Sequence, residues 1–293
     1  MEDISKKIRN THRISDASFD INQLATYSLV LSLEDKNIRV CVVDGASKKC
    51  LILEDYRLSG ISDKSQSVAC LNHIYDNHWA LKAGYWKEVL LLARNGAYTL
   101  VPDVYFDEKA LETYMLFHYH KGDYNNIENF LCTHTQTRSI FQIETDFLAW
   151  LQQTYPNKPV KIAHQANAFL RGVLQQHQQK EEIAISIENK YMDLVALKEG
   201  KVMLANRYYY QSPQDFTYFV LFAIDELKFS LGDCLVTLYG EISKDSGIYN
   251  LLYKYVQNVD FGKKPSEMTF SYVFDEILEH RYFDLYNAYL LLN

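Results

Sequence analysis

The sequence predicts an α/β (α+β) protein whose framework is built twice, and two observations carry that expectation. The first is a repeated stretch. Within Ser28 to Gly45 (SLVLSLEDKNIRVCVVDG) and Ile183 to Gly200 (IAISIENKYMDLVALKEG), a constant offset superposes the chain from the apolar run before Ser32 to the one after Asn37, Ser32 falling on Ser186 and Lys36 on Lys190. Each copy is an apolar run, a tight polar turn, a second apolar run and a Gly-containing turn, which is the pattern of a β-hairpin. The second observation is the order of elements after each hairpin: a third strand, then strands and helices in alternation. That order implies a mixed sheet with helices packed on it, made twice.

Along the chain, each element has its own signal. Residues 1–26 are polar and mixed and read as an N-terminal arm. Strands are expected at 27–33, 38–44 and 50–58. Val68, Leu71, Ile74 and Tyr75 recur at helical spacing, so a helix begins at Ser65. Glu88 to Ala93 is apolar on both faces, as suits a central strand covered on each side. Asn95-Gly96 turns the chain into Tyr98 to Val101, which Pro102 ends. Asp107 marks the N-cap region of a helix carrying Leu111, Met115, Leu116 and Tyr119. Strands at 127–133 and 138–143 fall in a stretch, 120–145, that reads as an insertion. A helix with Phe147, Leu148, Leu151 and Tyr155 stops at Pro156. Pro159 to Ala163 is a strand and Ala166 to Gln179 a helix.

The second copy opens at Glu182. Its third strand, Lys201 to Tyr210, is expected to alternate inside and outside at period two. Ser212 and Pro213 suit N-cap and N1 of a long helix carrying Phe216, Phe219, Val220, Ala223 and Leu227. Cys234 to Tyr239 is a strand, and Gly240 starts a loop into a helix with Ile248, Leu251, Leu252 and Tyr255. The chain after Ser266 reads as a short strand and a final helix rich in Phe, Tyr and Leu. The domain division that results is 27–180 and 181–293.

Composition narrows the function classes. The hydrophobic fraction of 48% and the charged fraction of 23% are those of a soluble globular chain with an ample core. A net charge of −7 argues against nucleic acid or an anionic membrane as the main partner, because phosphate binding needs clustered Lys and Arg. The one basic cluster, Lys6 to Arg13, lies in the lead-in. The five cysteines are odd in number and lack the paired spacing of zinc sites, so buried reduced thiols are expected. The start Met1-Glu2-Asp3 lacks a basic-then-apolar signal, and no apolar run approaches ~18 residues. These features point to a cytoplasmic protein without membrane insertion. His118-Tyr119-His120 has the alternation of a metal pair but no third ligand in the pattern. No GxSxG, HExxH or Walker A stretch is present.

The duplicated hairpin, together with the strand and loop at Leu235 to Ser243, resembles the actin-like ATPase superfamily, which includes PilM- and FtsA-type proteins. The chain as a whole resembles a bacterial family of unknown function assigned to that fold. The resemblance implies two RNase H-like domains with mixed five-stranded sheets and a nucleotide held between them. In active members the first hairpin carries Asp-x-Gly, whose backbone amides cradle phosphate and whose Asp positions Mg²⁺. Here Ser32-Leu33-Glu34 stands there, followed by Lys36. The second hairpin reads Ser186-Ile187-Glu188, and only Asp193 matches the later Asp of active members. The adenosine loop, usually Gly-rich, reads Leu238-Tyr239-Gly240-Glu241. These departures imply a catalytically inactive pseudo-ATPase with no bound cofactor, a scaffold or binding module for protein partners. The alternative is a divergent ATPase or small-molecule kinase using Mg-ATP, with a filament-forming protein as a third reading. The sequence leaves the oligomeric state open.

Overall fold

The polar lead-in is not an arm. The computed structural model describes residues 4–34, 36–118, 126–133, 135–156, 158, 160–176 and 179–292, and in it the lead-in forms strand β1 (Ile8–Ser15). It is followed by β2 (Tyr27–Glu34), β3 (Asn37–Asp44) and β4 (Lys49–Leu58). β1 lies antiparallel to β4 at the edge of the sheet. Charge explains why so polar a segment pairs: Arg13 Nε sits 3.2 Å from Glu54 Oε1, and His12 lies opposite Asp55. An edge strand needs only one buried side, so few apolar residues suffice.

α1 (Lys64–Asn77) begins at Asp63, whose carboxylate accepts from Gln66 N. Then come β5 (Glu88–Ala93), β6 (Tyr98–Pro102), α2 (Leu111–His118), β7 (Ile127–Cys132), β8 (Thr137–Gln142), α3 (Thr145–Thr154), β9 (Val160–His164) and α4 (Gln165–Gln176). The main sheet runs β1-β4-β3-β2-β5-β9, with β2, β5 and β9 parallel. β6, β8 and β7 make a separate antiparallel sheet, with β7 and β8 inside 120–145 and β6 ahead of it. β2 and β5 are buried along almost their whole length, as their unbroken apolar runs require. Cys70, Leu71 and Ile74 of α1 and Phe147, Trp150 and Leu151 of α3 join their core, and Tyr75 meets Trp150 edge to face.

The second sheet repeats the first. β10 (Glu181–Glu188), β11 (Tyr191–Lys198) and β12 (Lys201–Tyr209) form the meander; α5 (Pro213–Glu226), β13 (Leu235–Gly240), α6 (Gly247–Leu252), β14 (Val259–Phe261) and α7 (Phe283–Leu290) complete the order. The strand order is β12-β11-β10-β13-β14, with β10, β13 and β14 parallel. Stripped of β1, the first sheet has this same order, third-second-first-fourth-fifth. Even the irregularity repeats: a register shift falls between Val42 and Val43 of β3 and between Ala196 and Leu197 of β11. Ser212 caps α5 through Asp215 N, with Pro213 next to it, as the sequence predicts.

Two further expectations differ from the structure. β12 does not bury one face, since none of its residues is fully buried; it is the last strand of its sheet. Among the described residues the segment after Ser266 holds no strand, but a single bridge from Lys49 to Thr269 and a 3₁₀ turn at Tyr272–Glu276, followed by the expected final helix, α7.

The chain divides into two compact units, Met1–Ala168 with Ser266–Glu276 and Ala288–Asn293, and Phe169–Pro265 with Ile277–Asn287. Among the described residues no helix is long and apolar enough to cross a membrane. All five cysteines are free and buried. Burial pushes the Cys234 thiol up to about 12, which leaves it inert as a nucleophile near neutral pH.

Candidate functional site

In the first unit the candidate residues gather at the tip of the β2–β3 hairpin. Glu34 faces Asn37 and Ser32 faces Arg39. The turn is closed from outside, because Leu58 N at the end of β4 donates to Lys36 O at 2.9 Å. Lys36 points its side chain to solvent. Ser32 is fully buried, and among the described residues neither its Oγ nor the buried Oε2 of Glu34 makes a hydrogen bond.

Beside Ser32 lies a row of buried polar groups that sequence reasoning missed. Arg39 Nε sits 3.6 Å from Asp55 Oδ2, and Asn37 Nδ2 donates to Asp55 Oδ1 at 2.6 Å and to Tyr56 O at 3.1 Å. Asp55 is sealed from solvent, so these partners compensate its desolvation. A signal was available: Arg39 inside the apolar run of β3 and the Glu54-Asp55 pair that follows the apolar run of β4, with Arg39 and Asp55 at positions that register places side by side.

In the second unit the hairpin tip is built the same way. Tyr210 N donates to Lys190 O at 2.9 Å, the counterpart of the Leu58 latch. Asn189 adopts φ 52°, which a tight two-residue turn requires and Asn tolerates. Ser186 pairs with Asp193 on one side and Tyr239 on the other, and Glu188 is half-buried opposite Tyr191. Asp193 is held by Arg207 of β12 through two hydrogen bonds of 2.7 Å, a bidentate pair. The ion pair therefore spans the second and third strands in both units at matching register, with its signs exchanged: Arg39 and Asp55 in one, Asp193 and Arg207 in the other.

Gly240 ends β13 at φ +82°, and a Cβ there would lie 2.2 Å from Ile187 O. Its missing side chain is thus taken up by the approach of β10. The loop beyond is tied down: Glu241 N donates to Ile187 O (2.7 Å), Gly240 N to His280 O (2.9 Å), and Arg281 Nη2 lies 3.2 Å from Glu241 Oε1. His280 bonds Ile242 O at 2.9 Å, and its burial holds the imidazole below its usual pKa.

The structure thus brings Ser32, Glu34 and Lys36 together at one tip, and Ser186, Glu188, Asp193, Gly240 and Glu241 around the carboxyl ends of β10 and β13. His118-Tyr119-His120 lies outside the residues whose side chains are described. Among the described residues no three His, Cys, Asp or Glu side chains converge as metal ligands would.

Solved structures share this architecture. A Bacteroides thetaiotaomicron protein with actin-like ATPase fold and unknown function is 16% identical, with a TM-score of 0.78 over 94% of this chain and 100% of that one. The PilM–PilN type IV pilus biogenesis complex contains a chain that is 12% identical, with a TM-score of 0.61 over 91% of this chain and 98% of that one. At such identities the likeness defines the fold alone: this is a protein of the actin-like ATPase fold. No curated protein matches the sequence. The chain belongs to the family described as protein of unknown function (DUF3822), whose pattern matches residues 16–259.

Proposed function

We propose that this chain is a pseudo-ATPase: an actin-like protein of the cytoplasm that does not turn over nucleotide and serves as a binding module for another protein. The observation that carries this reading is the chemistry at the hairpin tips. Where active actin-like proteins have Asp-x-Gly, both copies have Ser-x-Glu, and in the first copy the glutamate holds a buried oxygen that no donor among the described residues satisfies. A carboxylate there meets a triphosphate as a like charge, at about 1–4 kcal/mol for a partly screened separation of several ångströms. Its side chain also fills the space a glycine leaves open.

The other parts of an Mg-ATP site fit no better. Asp193, the one acid that matches an active member, has both oxygens engaged by Arg207. Gly240 spends its lack of a side chain on Ile187. PilM occurs in a complex with PilN, which supports a protein as the partner class.

A thermal-shift titration with millimolar Mg-ATP and Mg-ADP tests the reading. Binding to the native state alone must raise Tm, so a shift below ~1 °C is expected, whereas several degrees would overturn the proposal. The competing reading, a divergent ATPase or small-molecule kinase, draws support from solvent-facing Lys36 and Lys190 at the two tips. It predicts phosphate release that disappears when these lysines are replaced by alanine.

A further inference from the structure

The two copies differ at one edge. Through the shared register and the shared irregularity, Cys50 corresponds to Val202, Leu51 to Met203, Ile52 to Leu204, Leu53 to Ala205 and Asp55 to Arg207. Cys50 and Leu51 are 0% and 2% exposed, while Val202 and Met203 are 41% and 50% exposed. The reason lies in what covers each strand. Against β4 lies β1, and the chain around it bonds on: Asp16 N donates to Leu51 O at 2.7 Å, and Cys50 N to Thr269 O at 3.0 Å. β12 ends its sheet, and among the described residues no strand pairs with its outer side.

Native edges are usually protected by shortness, by proline, by charge or by a bulge. β12 is nine residues long, has no proline and carries no charge between Lys201 and Arg207, so its protection is confined to Lys201 and to the irregularity at Met203. Tyr191 and Tyr209, with ring centroids 5.4 Å apart, extend the exposed apolar strip to its far end.

We propose that the outer edge of β12 is a docking site for an extended acidic segment of a partner protein, which pairs antiparallel in the slot that β1 fills in the first copy. Charge complementarity sets the sign. β1 brings His12 and Arg13 opposite Asp55 and Glu54 of β4, while Arg9 lies opposite Arg57. On β12 Arg207 is taken by Asp193, whereas Lys201 is exposed and is the counterpart of Lys49, which meets Asp16 just past β1 at 2.9 Å, so an acid of the mate lies beside Lys201. An apolar residue of the mate lies opposite Ala205, as Ile14 lies opposite Leu53. In such strand addition the main chain supplies affinity and alternate side chains supply selectivity. The proposal rests on the reading above only in taking the partner to be a protein; it is indifferent to nucleotide.

Backbone amide exchange on the full chain tests it, with two synthetic eight-residue peptides as probes. One alternates Ile or Val with Glu and Asp; the other places Lys at every acidic position. The acidic peptide is expected to slow exchange over residues 201–209 by ~tenfold, and Met203→Lys and Val202→Asp to abolish the effect. Both variants sit at exposed positions, and an unchanged Tm certifies their fold. No protection at millimolar acidic peptide, or equal protection by the basic one, overturns the proposal. Sedimentation of the protein alone as a dimer that Met203→Lys disperses also overturns it, in favour of β12 pairing with a second copy. Loss of peptide protection with a flat Mg-ATP titration sinks the docking edge and spares the pseudo-ATPase reading; protection with a large Mg-ATP shift does the reverse.

Discussion

Arg39 with Asp55, and Asp193 with Arg207, are the residue-level record of how the two halves diverged. The same two strand positions hold one cation and one carboxylate in each unit, yet the strands have exchanged signs. Burial makes the partnership matter more than its polarity, since a lone ion at a largely enclosed position is far costlier than a matched pair. Asp193→Arg alone should therefore destabilise the protein by about 3–5 kcal/mol in urea unfolding. The double variant Asp193→Arg with Arg207→Asp reproduces the first unit's arrangement and should recover most of that loss. If the double variant is no more stable than the sum of the single changes, the two sites are not equivalent.

At the scale of elements, the hairpins, the α5 start and the buried central strands were all legible, because each rests on short-range chemistry: turn residues, a cap, an unbroken apolar run. The role of β1 was not legible. Its residues are polar, and only the acidic pair on β4, some forty residues away, makes them a strand. The polar row beside Ser32 escaped for a like reason, since register decides which charges in neighbouring strands meet. Gly240 marks the limit most clearly. The resemblance to actin-like ATPases implies a place in an adenosine loop for it, whereas its φ of +82° and the 2.2 Å approach of Ile187 O give it a packing duty. Gly240→Ala should cost roughly 2–4 kcal/mol, because strain and collision add. Gly200→Ala, at φ +74° with open space around it, should cost only about 1 kcal/mol. Equal losses in chemical denaturation would refute the packing role.

For the molecule as a whole, acid is the expected weak point. Asp16, Asp44 and Glu54 all sit below the ordinary carboxylate range. In each, burial pushes the carboxyl up, and hydrogen bonds and nearby cations outweigh it. Glu54 shows how: Tyr56 and His78 bond one oxygen, and Arg13 approaches the other. The ring of His78 accepts from Ala80 N and Leu81 N at Nδ1, so its proton resides on Nε2, facing Glu54. A depressed native pKa means that the unfolded chain binds more protons in this range. Stability is then fully present above the ordinary carboxylate pKa and is lost as pH falls through the native values. Tm should fall steadily below about pH 5. Glu54→Gln should lower stability by about 1–3 kcal/mol at pH 7 and flatten that acid limb. An acid limb unchanged in the variant would exclude Glu54 as a source.

By itself the sequence determined the class of fold, the doubling of its framework and the Ser-x-Glu at both tips. Those features are written in residues close along the chain, where periodicity and turn chemistry act. Tertiary structure alone decided that β1 seals one sheet edge, that no strand among the described residues pairs with the outer side of β12, that Asp193 is held by Arg207 and that Gly240 serves the approach of a neighbouring strand. Each of these depends on which distant segments come to lie side by side, and burial, pairing and steric contact exist only once they do.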